Sequence, residues 1–167
     1  VEIKEYIIEN HIELVIFDCD GVLVDSEVLA TRELQRYLED LSFPTGLLQK
    51  NQDNFTGLSL LDIRKFIETQ AGRTLPEDFE RELRRRDVEA FHRDLRAIDG
   101  VHDTLSTLDF SRCVASSGSQ EKIRHSLTIT GLIQYFDPNL FSAQDQQVRR
   151  GKPAPDLFLH AAKSMGF

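Results

Sequence analysis

A chain of 167 residues in which 40% of the side chains are hydrophobic can bury one core and carry a smaller lobe beside it, which excludes a disordered protein. The formal net charge of −8 argues against non-specific nucleic-acid binding, because such binding needs a basic face that displaces counterions from phosphate. The two cysteines lack zinc-site or disulfide spacing, no apolar run approaches the roughly 20 residues that span a bilayer, and no signal peptide is evident, so a cytoplasmic protein is expected.

The first predicted element is a strand over residues 14–17, an apolar run that ends abruptly at Asp18. Such a run is typical of a strand buried on both faces of a parallel sheet. Asp20 follows two residues later, beyond the carboxyl end of the strand, where open α/β sheets bind ligands. One carboxylate there can attack phosphorus while the other protonates the leaving oxygen and later activates water, and Gly21 allows a tight turn. Cys19 has no histidine or second cysteine nearby in sequence, so no redox or nucleophilic role is expected for it.

Helical periodicity dominates the next part of the chain. One helix is predicted over residues 27–41 behind a possible N-cap at Ser26, a second after Ser59, and a third with Pro76 in its first turn. The only dense basic cluster, residues 84–86, is interpreted as a solvated helix face. Residues 26–98 therefore read as an all-helical segment.

Strands and helices alternate after Gly100. The predicted order is a helix at 101–108, a strand at 113–115, a helix from 119 to about 131, a strand at 139–141, a polar loop at 143–151 and a helix behind Pro155. This alternation indicates an α/β fold with a Rossmann-like, doubly wound parallel sheet and right-handed crossovers. The expected organisation is a core of residues 1–25 and 99–167, with residues 26–98 inserted as a helical cap.

The segment from Asp18 to Glu27, DCDGVLVDSE, resembles the first motif of the haloacid dehalogenase superfamily, in the form of its phosphatase and β-phosphoglucomutase-like branch. The resemblance implies Asp18 as nucleophile, Asp20 as acid and base, and Mg²⁺ bound through both residues. The dehalogenases typically lack Asp at the second acidic position, because displacing halide needs no proton delivered to oxygen. Asp20 therefore favours phosphoryl transfer.

Two later segments resemble the second and third motifs of this superfamily, in the right order. Residues 114–118, VASSG, end a predicted strand before a helix, so that Ser116, with Ser117 beside it, and nearby backbone N–H groups can bind phosphate oxygens. Residues 151–156, GKPAPD, set Lys152 just before a helix that starts after proline. The resemblance implies that Lys152 pairs with Asp18 and with the transferring phosphoryl group.

The predicted helical insertion matches in place and size the cap of the family, a lid that excludes water and selects the substrate. Residues 55–59, FTGLS, resemble the cap loop that faces the active site, and Gly57, Leu58 and Ser59 are the candidate substrate-selecting residues. The sugar-phosphate mutases carry Arg and His where this chain has Leu60 and Ala30, which weakens a mutase assignment. The cap loop, together with Cys19 and the stretch 157–163, most resembles the bacterial 6-phosphogluconate phosphatase group.

The fourth motif of the family, an acidic pair after a further strand, would come after the last residue, Phe167. The expectation is accordingly a fragment, with a natural truncation or a dimer as alternatives. The leading hypothesis is a Mg²⁺-dependent phosphatase whose partner is a small phosphorylated metabolite, a sugar or sugar-acid phosphate, with neither nucleic acid nor membrane as partner. A β-phosphoglucomutase-type phosphomutase and a non-catalytic binding protein are the alternatives, and the sequence does not indicate the oligomeric state.

Overall fold

The computed structural model describes residues 12–44, residue 46 and residues 60–167. In chain order the described elements are β1 (Leu14–Phe17), α1 (Ser26–Asp40), α2 (Leu60–Ala71), α3 (Phe79–Asp94), α4 (Val101–Thr107), β2 (Ser111–Ser116), α5 (Gln120–Ile129), a 3-10 turn (Ile133–Tyr135), β3 (Leu140–Ser142) and α6 (Asp156–Ser164). Within the described residues, no helix is both long enough and apolar enough to cross a membrane.

The chain divides into two compact units, one within Val1–Asp25 and Leu95–Phe167 and the other within Ser26–Asp94. Residues 95–98, which the sequence groups with the helical segment, belong to the first unit. The reason is backbone pairing with the segment after β1: the N–H of Asp25 donates to the carbonyl of Arg96 at 3.1 Å, and the N–H of Ile98 donates to the carbonyl of Leu23 at 3.0 Å. Local periodicity carries no information about such a pairing.

A three-stranded parallel sheet in the order β1-β2-β3 forms the centre of the first unit. Ile16 pairs with Cys113, and Ser116 pairs with Ser142, so all three strands end on the same side. The predicted α/β class with a parallel sheet is confirmed. All four residues of β1 are only half-buried rather than buried on both faces, because β1 is an edge strand of the sheet formed by the described residues.

Apolar side chains cover both faces of this sheet. Successive residues of a strand point to opposite faces, so Cys113 and Ala115 pack with Leu157 and Ala161 of α6 on one face. The other face carries the fully buried Val114, and Phe17, its register partner, makes an edge-to-face contact with Phe136 at 5.6 Å between ring centroids. Because both faces of the sheet are covered, the ends of the strands are the part of the sheet that stays accessible.

The second unit is built from α1, α2 and α3 around its own core. Tyr37 of α1 stacks on Phe79 of α3, with 5.3 Å between ring centroids and an interplanar angle of 9°. The helix α3 begins at Phe79 rather than at Pro76, because the N–H of Phe79 closes a turn on the carbonyl of Pro76 at 3.1 Å. In the basic cluster Arg84 and Arg85 are exposed, as expected for a solvated face, whereas Arg86 is half-buried over the Tyr37 ring at 4.3 Å. Arg85 and Arg86 both pair with Glu82.

Candidate active site

The turn that follows β1 directs two carboxylates away from the carboxyl end of the sheet. Gly21 adopts a φ of 73°, a left-handed conformation that a residue with a Cβ adopts only with strain. The turn closes because the N–H of Leu23 donates to the carbonyl of Cys19 at 2.9 Å. The backbone N–H of Cys19 also donates to Oδ1 of Asp18 at 2.8 Å, which orients that carboxylate at the end of the strand.

Lys152 reaches this carboxylate from the loop before α6. Its Nζ lies 2.8 Å from Oδ2 of Asp18 and donates to the carbonyl of Ala115 at 3.0 Å. The ring of Phe158 lies 5.3 Å from the same ammonium, which adds a cation–π contact. Two oxygens and one aromatic ring thus hold the lysine, and the side chain of Asp18 stays 41% exposed at the rim.

Asp20 meets a hydroxyl and a second lysine. The hydroxyl of Ser116, which is fully buried at the end of β2, lies 3.5 Å from Oδ2 of Asp20, longer than the roughly 2.5–3.0 Å of an ordinary O–H···O hydrogen bond. Lys122 of α5 donates from Nζ to Oδ1 of Asp20 at 2.9 Å. The backbone N–H of Gly118 donates to the Ser116 hydroxyl at 3.0 Å, which orients the serine.

Hydrogen bonds between the loops after β2 and β3 support this arrangement. The hydroxyl of the buried Ser142 donates to the carbonyl of Gly118 at 2.6 Å. Asp145 accepts from the N–H of Ser142 at 2.8 Å and from Nε2 of Gln120 at 3.1 Å. The sequence-based prediction treated residues 143–151 as a plain polar loop, and only the placement of Asp145 three residues after a strand could have signalled this role.

The structure brings four sequence-predicted site residues together, namely Asp18, Asp20, Ser116 and Lys152. Ser117 is exposed just beyond the end of β2. The cap-loop candidates Gly57, Leu58 and Ser59 lie outside the described residues.

Sequence reasoning missed Lys122. The available signal was a lysine in the first turn of a predicted helix, three residues after the N-cap Ser119, where a cation is out of place electrostatically.

The donor chemistry at the strand ends is oxygen alone. Burial, followed by the nearby carboxylate of Asp20, raises the pKa of the Cys19 thiol to about 12, so it stays protonated at neutral pH and offers no thiolate ligand. No group of three or more His, Cys, Asp or Glu side chains that could hold a metal occurs among the described residues. The carboxylate of Asp18 and the backbone carbonyl oxygen of Asp20 suit Mg²⁺, which keeps several waters and binds through one or two carboxylates plus substrate phosphate.

Comparison with known proteins places these features in a family. The sequence model of the haloacid dehalogenase-like hydrolases matches residues 15–167. The 6-phosphogluconate phosphatase of Escherichia coli is 34% identical over 160 residues, an alignment that covers 93% of this chain and 70% of the relative. A phosphorylated carbohydrates phosphatase of Thermotoga maritima is 29% identical over 158 residues, covering 88% of this chain and 68% of the relative.

Solved structures agree in fold. A haloacid dehalogenase-like protein of Agrobacterium tumefaciens superposes with a TM-score of 0.83 at 36% identity, covering 92% of this chain and 69% of that one. A HAD family hydrolase of Deinococcus radiodurans, crystallised with bound phosphate and sodium, gives a TM-score of 0.77 at 26% identity, covering 93% of this chain and 68% of that one.

Proposed function

The chain belongs to the haloacid dehalogenase-like hydrolase family, and from this premise we propose that it is a phosphatase acting on a sugar or sugar-acid phosphate through an aspartyl-phosphate intermediate. The observation that carries the proposal is the Asp18–Lys152 pair at the strand ends, with a second carboxylate, Asp20, two residues along the chain. Relatives named for dephosphorylating 6-phosphogluconate and phosphorylated carbohydrates support the substrate class.

The chemistry proceeds in two displacements at phosphorus. In the first, a carboxylate oxygen of Asp18 bonds to phosphorus, the bond to the leaving oxygen breaks, and that oxygen takes the proton of the Asp20 carboxyl group. In the second, water attacks the aspartyl phosphate and gives its proton to the Asp20 carboxylate. The P–O bond to Asp18 then breaks, which restores the Asp18 carboxylate and releases inorganic phosphate.

The remaining side chains of the site hold negative charge. Lys152, fixed at 2.8 Å from Asp18, offsets the repulsion between the attacking carboxylate and the phosphoryl group. Ser116 and Ser117, with the N–H groups at the start of α5, are the proposed donors to the phosphate oxygens. Asp18 and Asp20 would hold Mg²⁺, which supplies charge neutralisation at the phosphoryl oxygens when bound.

Substrate choice is assigned to the helical unit, on the strength of the sequence resemblance. Gly57, Leu58 and Ser59 are the proposed selecting residues of this cap. Ala30 and Leu60 replace the His and Arg of the sugar-phosphate mutases, and a phosphatase needs only to admit water to the aspartyl phosphate.

The test of the proposal is a phosphate-release assay on the purified full-length protein. We expect hydrolysis of p-nitrophenyl phosphate with Mg²⁺, none in chelator, and at least a roughly 10³-fold loss of kcat in Asp18→Asn, which keeps the shape of the side chain but removes the nucleophilic charge. The control is Asp109→Asn, at an exposed aspartate of the same unit. Wild-type turnover in Asp18→Asn would contradict the proposal.

A substrate screen tests the finer assignment. We expect inorganic phosphate from 6-phosphogluconate or a related sugar phosphate, and no conversion of β-glucose 1-phosphate to the 6-phosphate in a coupled assay. Mutase turnover without phosphate release would favour the phosphomutase over the phosphatase. Activity in neither assay would favour a non-catalytic binding protein.

A further inference from the structure

Lys122 combines two features that the phosphatase mechanism above does not use. Its ammonium bonds to Oδ1 of Asp20 at 2.9 Å, and 42% of its side chain is exposed against 24% for that of Asp20. The two residues are 102 positions apart in sequence, so the contact depends on the folded sheet. An ion pair this exposed contributes little to stability, because water screens it and two long side chains must be ordered.

The position of Lys122 in its helix is electrostatically unfavourable. Its backbone N–H donates to the N-cap hydroxyl of Ser119, which places the lysine in the first turn of α5. The N-terminal turn of a helix carries the positive end of the macrodipole, where cations are disfavoured and acidic residues are common. A residue that destabilises the helix in which it lies is expected where function, rather than stability, requires that residue.

The backbone leaves room for this lysine at Gly118. A Cβ added to Gly118 would lie 3.2 Å from Cδ of Lys122, closer than ordinary van der Waals contact, and 3.4 Å from the Ser116 hydroxyl. Gly118 does not have a positive φ, so space rather than backbone conformation is what a larger residue would take away. The aliphatic part of Lys122 thus passes over this glycine on its way to Asp20.

We propose that Lys122 is a positioning residue that holds the Asp20 carboxyl group in the orientation in which it exchanges protons with the leaving oxygen and with the attacking water. This inference rests on the proposed phosphatase function. Lys122 binds Oδ1 at 2.9 Å, which restrains rotation of the carboxyl group, whereas the Ser116 hydroxyl, 3.5 Å from Oδ2, makes only a weak contact. The lysine can donate in either half-reaction, because a protonated carboxyl group keeps a carbonyl oxygen that accepts a hydrogen bond.

If Lys122 positions Asp20, the loss of kcat/KM on replacing Lys122 should be larger for substrates whose leaving group is more basic. Nitrophenolate departs readily without a proton, whereas phenolate is more basic and needs proton delivery from Asp20. Phenyl phosphate and p-nitrophenyl phosphate differ only in the para-nitro group, so the change in the ratio of their kcat/KM values between wild type and a variant separates proton transfer from binding. Because both substrates are assayed on one preparation, the ratio is independent of the fraction of protein that is folded.

The experiment compares wild type, Lys122→Met, Lys122→Arg and the control Lys163→Met, an exposed lysine of α6, in the full-length protein. For Lys122→Met we expect kcat/KM for phenyl phosphate to fall about 10- to 100-fold, part of the roughly 10²- to 10⁴-fold that general acid–base catalysis supplies. The value for p-nitrophenyl phosphate should change less than about threefold if proton transfer is the step affected. Lys122→Arg should recover most of the ratio, and Gly118→Ala should lower it in the same direction as Lys122→Met.

The outcomes separate the two levels of inference. An unchanged ratio in Lys122→Met, or an equal loss on both substrates, overturns the positioning role while leaving the phosphatase assignment intact. A loss that Lys122→Arg does not recover even in part also overturns it. A wild-type protein that hydrolyses neither substrate overturns the phosphatase function, and the role of Lys122 with it.

Discussion

Cys19 lies between two acidic residues, yet its chemical environment makes it inert. The side chain is 1% exposed, and burial together with the Asp20 carboxylate raises the pKa of its thiol to about 12. Burial alone raises the pKa of Cys113, on β2, to about 11. The thiolate is the reactive form of cysteine, and at neutral pH both thiols stay protonated and buried, so neither residue is an accessible nucleophile.

We therefore predict that neither cysteine reacts with Ellman's reagent at pH 7 in the native protein, whereas both react after unfolding in guanidinium. The measurement is the absorbance of released thionitrobenzoate with time. Cys113→Ala serves as the matched control, because it leaves Cys19 as the only thiol in the chain. Rapid native labelling of that variant would contradict the burial of Cys19.

At the scale of elements, α5 carries the clearest local signals. Ser119 adopts an extended conformation and accepts a hydrogen bond from the N–H of Lys122 at 3.2 Å, and Gly131 follows the helix with a φ of 71°. Both ends are where the sequence predicts them, because capping depends on residues within one turn of the helix end. The same helix starts beside the phosphate-binding candidates, so its cap connects local stability to the site.

Ser119→Ala is predicted to lower the free energy of unfolding by about 1 kcal/mol, the usual effect of losing a side-chain cap. Urea denaturation followed by circular dichroism measures this change. The control is Ser111→Ala at the exposed start of β2, for which a change within about 0.5 kcal/mol is expected. Equal effects of the two substitutions would show that the cap contributes nothing specific.

Acidic side chains determine how the whole molecule responds to low pH. Two hydrogen bonds from Arg85, followed by one from Arg86, lower the pKa of Glu82 from 4.5 to about 2. A hydrogen bond from the backbone N–H of Leu75 lowers the pKa of Glu68, and hydrogen bonds from Arg150 lower that of Asp156. The unfolded chain binds these protons at higher pH than the folded one, so the stabilisation is complete above the unfolded pKa and is lost on acidification.

We predict that the thermal unfolding midpoint falls as the pH is lowered from about 5 to about 2, the window set by the ordinary carboxyl pKa and by that of Glu82. Added salt should reduce the effect, because exposed ion pairs are screened. Glu82→Gln should make the unfolding midpoint fall less steeply over this acidic range, whereas Glu77→Gln, at an exposed residue before α3, should not. The same dependence of the unfolding midpoint on pH in wild type and in Glu82→Gln would contradict the prediction.

The sequence by itself determined the elements whose boundaries are written in neighbouring residues. β1 coincides with the apolar run 14–17, because Asp18 ends that run. The helix α5 begins after the predicted N-cap Ser119 and ends before the predicted Gly131. β3 lies one residue later than predicted, at Leu140–Ser142, because its register with β2 selects the paired residues. The predicted positions of Asp18 and Asp20 beyond a strand end likewise follow from local pattern alone.

Only the tertiary structure decided which distant side chains meet. Lys122 bonds to Asp20, and Lys152 to the carbonyl of Ala115, across separations of 102 and 37 residues. The packing of residues 95–98 with the segment after β1 was equally invisible in the sequence. Helical and strand periodicity report which face of an element is buried, whereas these contacts depend on the order and register of parallel strands, which bring chain segments far apart in sequence to one edge of the sheet.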